Sequence, residues 1–168
     1  MAADVSGNRR KLTVRLPDGS ALDLEAGATG AEAAAAIGPR LAKDALAVKV
    51  DEEVRDLTAP LADGEEIEIV TTGSNDPTAL WLVRHDAAHV MATAVLDLWP
   101  GTKVSIGPPI EGGFYYDFEF PDGFRPSEDD LARIEERMSA HIQADEQFER
   151  SELSADEAIE RFRAEDQP

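Results

Sequence analysis

Leu12, Val14 and Leu16 alternate with Lys11, Thr13 and Arg15, and the same two-residue period resumes over Ala21–Leu24 after Pro17-Asp18-Gly19-Ser20. An apolar/polar alternation on both sides of a Pro-Asp-Gly turn predicts a β-hairpin. Thr29, with Glu32 three residues on, has the form of a helix-capping box, and the alanines at 33–36 favour a short helix that Gly38-Pro39 should stop. Ala45–Val50 and Glu65–Val70 read as two further strands, with Asp51–Arg55 as a turn and a short edge segment between them. The order β-β-α-β-β with a single covering helix predicts a ubiquitin-like β-grasp, because one helix can cover only one face of a sheet.

Thr71–Pro77 is small, polar and ends in proline, the composition of a linker. From Thr78, the residues Leu80, Leu82, Val83, Ala87, Val90, Met91, Ala94, Val95 and Leu98 recur at three- and four-residue steps. That spacing predicts a long amphipathic helix ending before Pro100-Gly101. Lys103–Ile106 reads as a strand, Gly107-Pro108-Pro109 breaks it, and Phe114–Phe120 reads as another. Ser127 caps a helix striped by Leu131, Ile134, Met138 and Ile142, and a last short helix begins near Ser154, carrying Ala158, Ile159 and Phe162. The expected class is α+β: a flexible tail over 1–10, a β-grasp domain over 11–72, a linker over 73–77, and an α+β segment with the long helix over 78–168.

Composition narrows what such a fold can do. With 42% hydrophobic and 30% charged residues the chain suits a globular, soluble protein, and its 168 residues allow one ordinary domain or two small ones. The formal net charge of -19 repels phosphate at long range, so tight nucleic-acid binding by this chain alone is disfavoured. The charge is uneven: residues 1–75 carry 8 basic and 14 acidic side chains, leaving -13 for residues 76–168. Arg9-Arg10-Lys11 is the one basic cluster, and an exposed tail accounts for it. The absence of cysteine removes disulfides, thiolate nucleophiles and Cys-ligated metal. With no signal-peptide core and no membrane-length apolar run, the expected location is cytoplasmic, with no membrane partner.

The candidate chemistry centres on Trp81–Phe120. His85 and His89, four residues apart on a helix, stand on one face about one turn apart and can share a water, a metal or a polar substrate group. Zinc would need at least a third protein ligand; the segment lacks the HExxH glutamate, and His141 cannot be placed from sequence. Two partly exposed histidines with no chemistry are the bland alternative. Acid–base work by neutral imidazole is the stronger functional reading, because it needs no metal. The run Gly107–Asp117 can complete a pocket, its glycines letting backbone N–H groups approach a substrate and Tyr115 and Tyr116 pointing to opposite faces.

The run RHDAAHVMATAV, followed by LWPGTKVSIGPPIEGGFYYDF, resembles the start of the editing domain of bacterial threonyl-tRNA synthetases. LPDGSALDLEAGATGAEAA and LAVKVDEEVRDLTAPLADGEEIEIVT resemble the N-terminal TGS domain of the same family, a β-grasp module. The resemblance implies a cytoplasmic enzyme that ligates threonine to its tRNA using ATP and hydrolyses serine mistakenly attached to that tRNA. His85 and His89 match the histidines of the family's editing HxxxH, which position the ester and the attacking water. Tyr116 matches the second tyrosine of the family's FYYD run, which lines the pocket, and Gly107 falls in the pocket-side turn.

The family's editing pocket also uses a Cys-x-x-x-His motif that these residues do not contain. The expectation is therefore an incomplete editing domain over 78–168 in an N-terminal fragment or truncated relative that alone neither charges nor efficiently edits. No cofactor is expected here; ATP, magnesium and zinc would belong to the family's catalytic core, and homodimerisation to its other domains. A non-catalytic TGS-type binding or regulatory module is the alternative.

Overall fold

The computed structural model describes residues 11–146 and 151–167; the tail expected at 1–10 lies outside them. The chain divides into two compact units, one running to Leu82 and the other starting at Val83.

In the first unit, β1 (Lys11–Arg15) and β2 (Ala21–Glu25) form the expected hairpin, with Leu12 opposite Leu24 and Val14 opposite Leu22. The turn holds because Asp18 Oδ1 accepts from the Ser20 amide at 2.9 Å and Gly19 takes a φ of +81°, which a side chain would resist. Helix α1 (Gly30–Ile37) opens on the capping box read from sequence: the Thr29 hydroxyl accepts from the Glu32 amide at 3.3 Å, and Glu32 Oε2 accepts from the Thr29 amide at 2.8 Å. Helix α2 (Pro39–Asp44) follows at once. It was not expected, because Gly38-Pro39 reads as a stop; proline at the first position of a helix is also a good start, where its missing N–H costs nothing.

Strand β3 (Ala45–Val50) lies between β4 (Glu53–Arg55) and β5 (Ile67–Thr71), both antiparallel to it. A parallel bridge from Arg15 to Glu66 joins β1 to β5, giving the mixed-sheet order β2-β1-β5-β3-β4 of a β-grasp. Leu12, Val14, Leu24, Ala28, Ala33, Val48, Val50, Leu61 and Ile67 bury themselves in one core between the sheet and α1. Gly30 permits that closeness, since a Cβ there would lie 2.7 Å from Val48 Cγ1.

Helix α3 (Pro77–Leu98) begins in this unit. Asp76 starts it, its carboxylate accepting from the Thr78 amide at 2.8 Å while paired to Lys49, and Ala79 packs with Ala47 and Val70. In the second unit the same helix buries Ala88, Ala92, Ala94 and Val95. It ends at Trp99–Thr102, where the buried Thr102 hydroxyl donates to the Trp99 carbonyl at 2.7 Å.

Beyond it, β6 (Lys103–Val104) pairs with β9 (Phe118–Glu119), and β7 (Pro109–Ile110) with β8 (Gly113–Phe114). The strands expected over 103–106 and 114–120 are thus cut short. Pro108 and Pro109 have no N–H to offer a ladder, so the regular pairing stops. Only the Ser105 amide to the Asp117 carbonyl (3.1 Å) and the Asp117 amide to the Ile106 carbonyl (3.4 Å) carry it further. Helix α4 (Glu128–Ala144) has a Ser127/Asp130 capping box, and α5 (Ala155–Ala164) a Ser154/Glu157 one. Trp99 packs against Phe120 and Phe124, with ring centroids 5.6 and 5.2 Å away, and the Arg133 guanidinium lies 5.3 Å from the Trp99 ring. Among the described residues no helix is long and apolar enough to cross a membrane.

Candidate functional site

The helical repeat of α3 stacks residues four apart, and it brings the two histidines into direct contact. The Nε2 atoms of His85 and His89 are 2.9 Å apart, and the rings meet edge to face with centroids 4.6 Å apart at 62°. A nitrogen–nitrogen bond of this length needs one N–H and one lone pair, so the two facing nitrogens hold one proton between them. Partial burial and then the neighbouring His85 push the His89 pKa below its ordinary 6.5, with Asp86 opposing them weakly. His89 is therefore neutral at pH 7.

Tyr116 lies across from the pair, its ring centroid 6.5 Å from that of His89 at 76°. Burial raises its phenol pKa above 10, so it stays a neutral hydroxyl. The ring is stacked on Phe118 at 5.0 Å, and Phe118 lies 5.8 Å from Phe120. Tyr116, Phe118 and Phe120 share one face of the run, while Tyr115, Asp117 and Glu119 face solvent. Gly107 sits under the Tyr116 ring, where a Cβ would fall 2.0 Å from Cδ2. His85, His89, Tyr116 and Gly107, all named from sequence, thus stand together in the second unit.

Two features escaped the sequence. Arg84, one residue before the first histidine, donates from Nη1 to the Ile110 carbonyl at 3.0 Å and so ties α3 to the β7–β8 hairpin. The one available signal was an arginine directly before the histidine helix motif. His141 is committed elsewhere: its Nε2 is 3.0 Å from Asp97 Oδ2 and its Nδ1 is 2.9 Å from Glu146 Oε1. Asp97 is eight residues beyond His89, about 12 Å along the helix axis. Among the described residues no three His, Asp or Glu side chains are placed to hold a metal ion.

A recess of about 450 Å³ in the first unit is lined by Lys49, Asp51, Glu52, Glu66 and Glu68 with Pro17 and Ile67. Carboxylates dominate its lining, and it holds no imidazole or hydroxyl.

The arrangement suits proton transfer and the binding of a small polar group. One imidazole nitrogen can accept from a water, and the tyrosine and the glycine-rich run can shape the space around it.

A family model for the TGS domain matches residues 12–71. The chain is 50% identical over 155 residues to the threonine–tRNA ligase of Erythrobacter litoralis, covering 92% of this chain and 23% of that protein. It is 50% identical over 153 residues to the ligase of Rhizobium rhizogenes, covering 91% and 22%. Against that of Pelobacter propionicus it is 48% identical over 151 residues, covering 90% and 23%. The chain therefore spans less than a quarter of the length of these curated relatives. Residues 12–71 match the TGS domain, and over nine-tenths of its length the chain is similar to the N-terminal regions of threonine–tRNA ligases.

Proposed function

We propose that this chain supplies part of a site that hydrolyses serine esterified to tRNA, within a polypeptide of the threonine–tRNA ligase type. In this reading residues 11–72 are the TGS domain, 73–77 link it onward, and 78–168 are the first part of an editing domain. The observation that carries it is the contact between the facing nitrogens of His85 and His89, set 6.5 Å ring to ring from Tyr116, in a chain half identical to those ligases.

An imidazole nitrogen of the pair takes a proton from a water as its oxygen attacks the ester carbonyl carbon. Because each Nε2 is satisfied by the other, an entering water or substrate amine must part them, and replaces their mutual bond with its own. Backbone N–H groups of the glycine-rich run face the developing oxyanion. When the ester C–O bond breaks, the ribose oxygen leaves as a hydroxyl, taking the proton back from the imidazole. Tyr116 and the Gly107 turn bound the pocket for a side chain as small as serine.

On its own, the 168-residue chain neither charges tRNA nor hydrolyses the ester efficiently. Threonine activation with ATP, magnesium and zinc, docking of tRNA, and homodimerisation belong to the ligase-length protein, which acts in the cytoplasm. The mutual satisfaction of the two histidine Nε2 atoms suits a second reading, a TGS-type binding module with incidental histidines. Deacylation of Ser-tRNA by a ligase-length protein carrying this region separates the two. His85→Ala and His89→Ala each slow it strongly under the first reading, and a wild-type rate in both leaves the binding module.

A further inference from the structure

We propose that Arg84 is a positioning residue of this site, holding the β7–β8 hairpin at a fixed distance from the histidine helix; the inference rests on the serine-ester reading for its substrate. The hairpin has two residues per strand, Pro109 opposite Phe114 and Ile110 opposite Gly113. A ribbon this short is not stable alone, and Pro109 subtracts a donor from it. Its tip has little apolar packing, since Ile110, Glu111 and Gly112 are all exposed.

At its base the hairpin is anchored by the Asp117 backbone bonds to Ser105 and Ile106 and by Tyr116 lying over Gly107. At its tip the tie to α3 is the bond from Arg84 Nη1 to the Ile110 carbonyl, at 3.0 Å. A guanidinium donor makes this bond stronger than one from a neutral group. Gly107 precedes the hairpin and Tyr116 follows it, so the strand pair carries one wall of the pocket while α3 carries the histidines. Arg84 and His85 are consecutive on α3, so one turn of helix fixes both walls. Arg84 acts through the hairpin and touches no reacting atom.

NMR on the 168-residue chain tests this with Arg84→Met and Arg84→Lys. Losing the bond should speed hydrogen exchange of the 110–114 amides about tenfold and weaken the ring-to-ring NOE between His89 and Tyr116. Lysine, which keeps a charged donor, should recover most of both. The buried α3 amide of Val95 should not change in either variant. Unchanged hairpin exchange and NOE in Arg84→Met overturn the proposal, and so does an equal loss of protection at Val95, which would make the effect one of global stability.

A titration of a ligase-length protein carrying this region with the non-hydrolysable 3′-seryl-amide of adenosine then separates the proposal from the reading beneath it. Wild type should show shifts at His85 and His89, and Arg84→Met should need about tenfold more analogue for the same shift. Equal binding by the two proteins overturns the positioning role while the serine-ester reading stands. No shift in wild type overturns the serine-ester reading, and the exchange data alone then decide whether Arg84 holds the hairpin.

Discussion

The ring of Tyr116 fills the volume that a side chain on residue 107 would need: a Cβ built on Gly107 would lie 2.0 Å from Cδ2, 2.2 Å from Cε2 and 2.8 Å from Cγ of that ring. Ring and glycine are therefore one unit, and the tyrosine can stand 6.5 Å from His89 only while residue 107 lacks a Cβ. Gly107→Ala must push the ring aside or shift the turn, an overpacking change that costs about 1–3 kcal/mol. The expected outcome is a lower denaturation midpoint together with displaced Tyr116 ring resonances and a lost His89–Tyr116 NOE. An alanine variant that keeps that NOE would falsify the packing argument.

His89 should titrate late. His89 is held below its ordinary 6.5 by burial first and by His85 second, so the folded state resists a proton that the unfolded chain accepts. The sign follows: a depressed folded pKa gives stability that is present above 6.5 and lost as pH falls through the lower folded value. Serine-ester hydrolysis that uses neutral His89 as its base declines over the same range. Imidazole chemical shifts followed against pH give the direct reading, and a His89 midpoint at or above 6.5 contradicts it. In His85→Ala, where the second cause is gone, the midpoint should rise toward the ordinary value.

Much of the fold was legible because its signals are local. Thr29 and Glu32, Ser127, and the alternation of Leu12 and Val14 each specify structure within four residues of themselves, and each forms the element expected. Helix α2 was missed because Gly38-Pro39 serves both as a stop and as a start, and residue identity alone does not choose. The strand over Phe114–Phe120 was overextended because a strand needs a partner, and the partner stretch contains Pro108 and Pro109. At the site, helical spacing paired His85 with His89, whereas the choice of Gly107 and Tyr116 within the glycine-aromatic run came from the family resemblance. The Arg84–Ile110 and Asp97–Arg137 contacts span 26 and 40 residues, and no periodicity reports such pairings.

Asp76 gives the first unit an acid limit. Its carboxylate pairs with Lys49 and accepts from both the hydroxyl and the amide of Thr78, and these bonds draw its pKa down to about 2. A depressed carboxylate stabilises the fold above its unfolded value of 3.8, and that contribution disappears as pH falls through about 2. At pH 7 the melting temperature should order wild type above Asp76→Asn above Asp76→Ala. Asparagine keeps an acceptor for the helix start but not the charge for Lys49, whereas alanine keeps neither. Below pH 2 wild type should fall to the level of Asp76→Asn, with Asp76→Ala still beneath both, and a wild-type advantage over asparagine that persists there would show that the charge is not what Asp76 contributes.

Asp97 plays the corresponding part between α3 and α4 in the second unit. It accepts from Arg137 through Nε at 2.7 Å and through Nη2, and it lies 3.0 Å from His141 Nε2. The hydrogen bonds from Arg137 do most to hold its pKa below 3.8. Because the Asp97 and Arg137 side chains keep 37% and 45% of their exposure, solvent screens the pair, and its worth is that of a surface ion pair, about 0.2–1 kcal/mol. His141 raises the stakes, since its side chain is only 11% exposed and one of its two polar partners is the same carboxylate oxygen. Asp97→Ala should therefore cost more than Arg137→Ala, as it strips a partner from a buried ring as well as from an exposed guanidinium. The double variant should cost less than the sum, because both single changes remove the same contact. Denaturant unfolding of the two single variants and the double variant measures that coupling. Strict additivity would mean that the Asp97–Arg137 contact contributes nothing to holding the two helices.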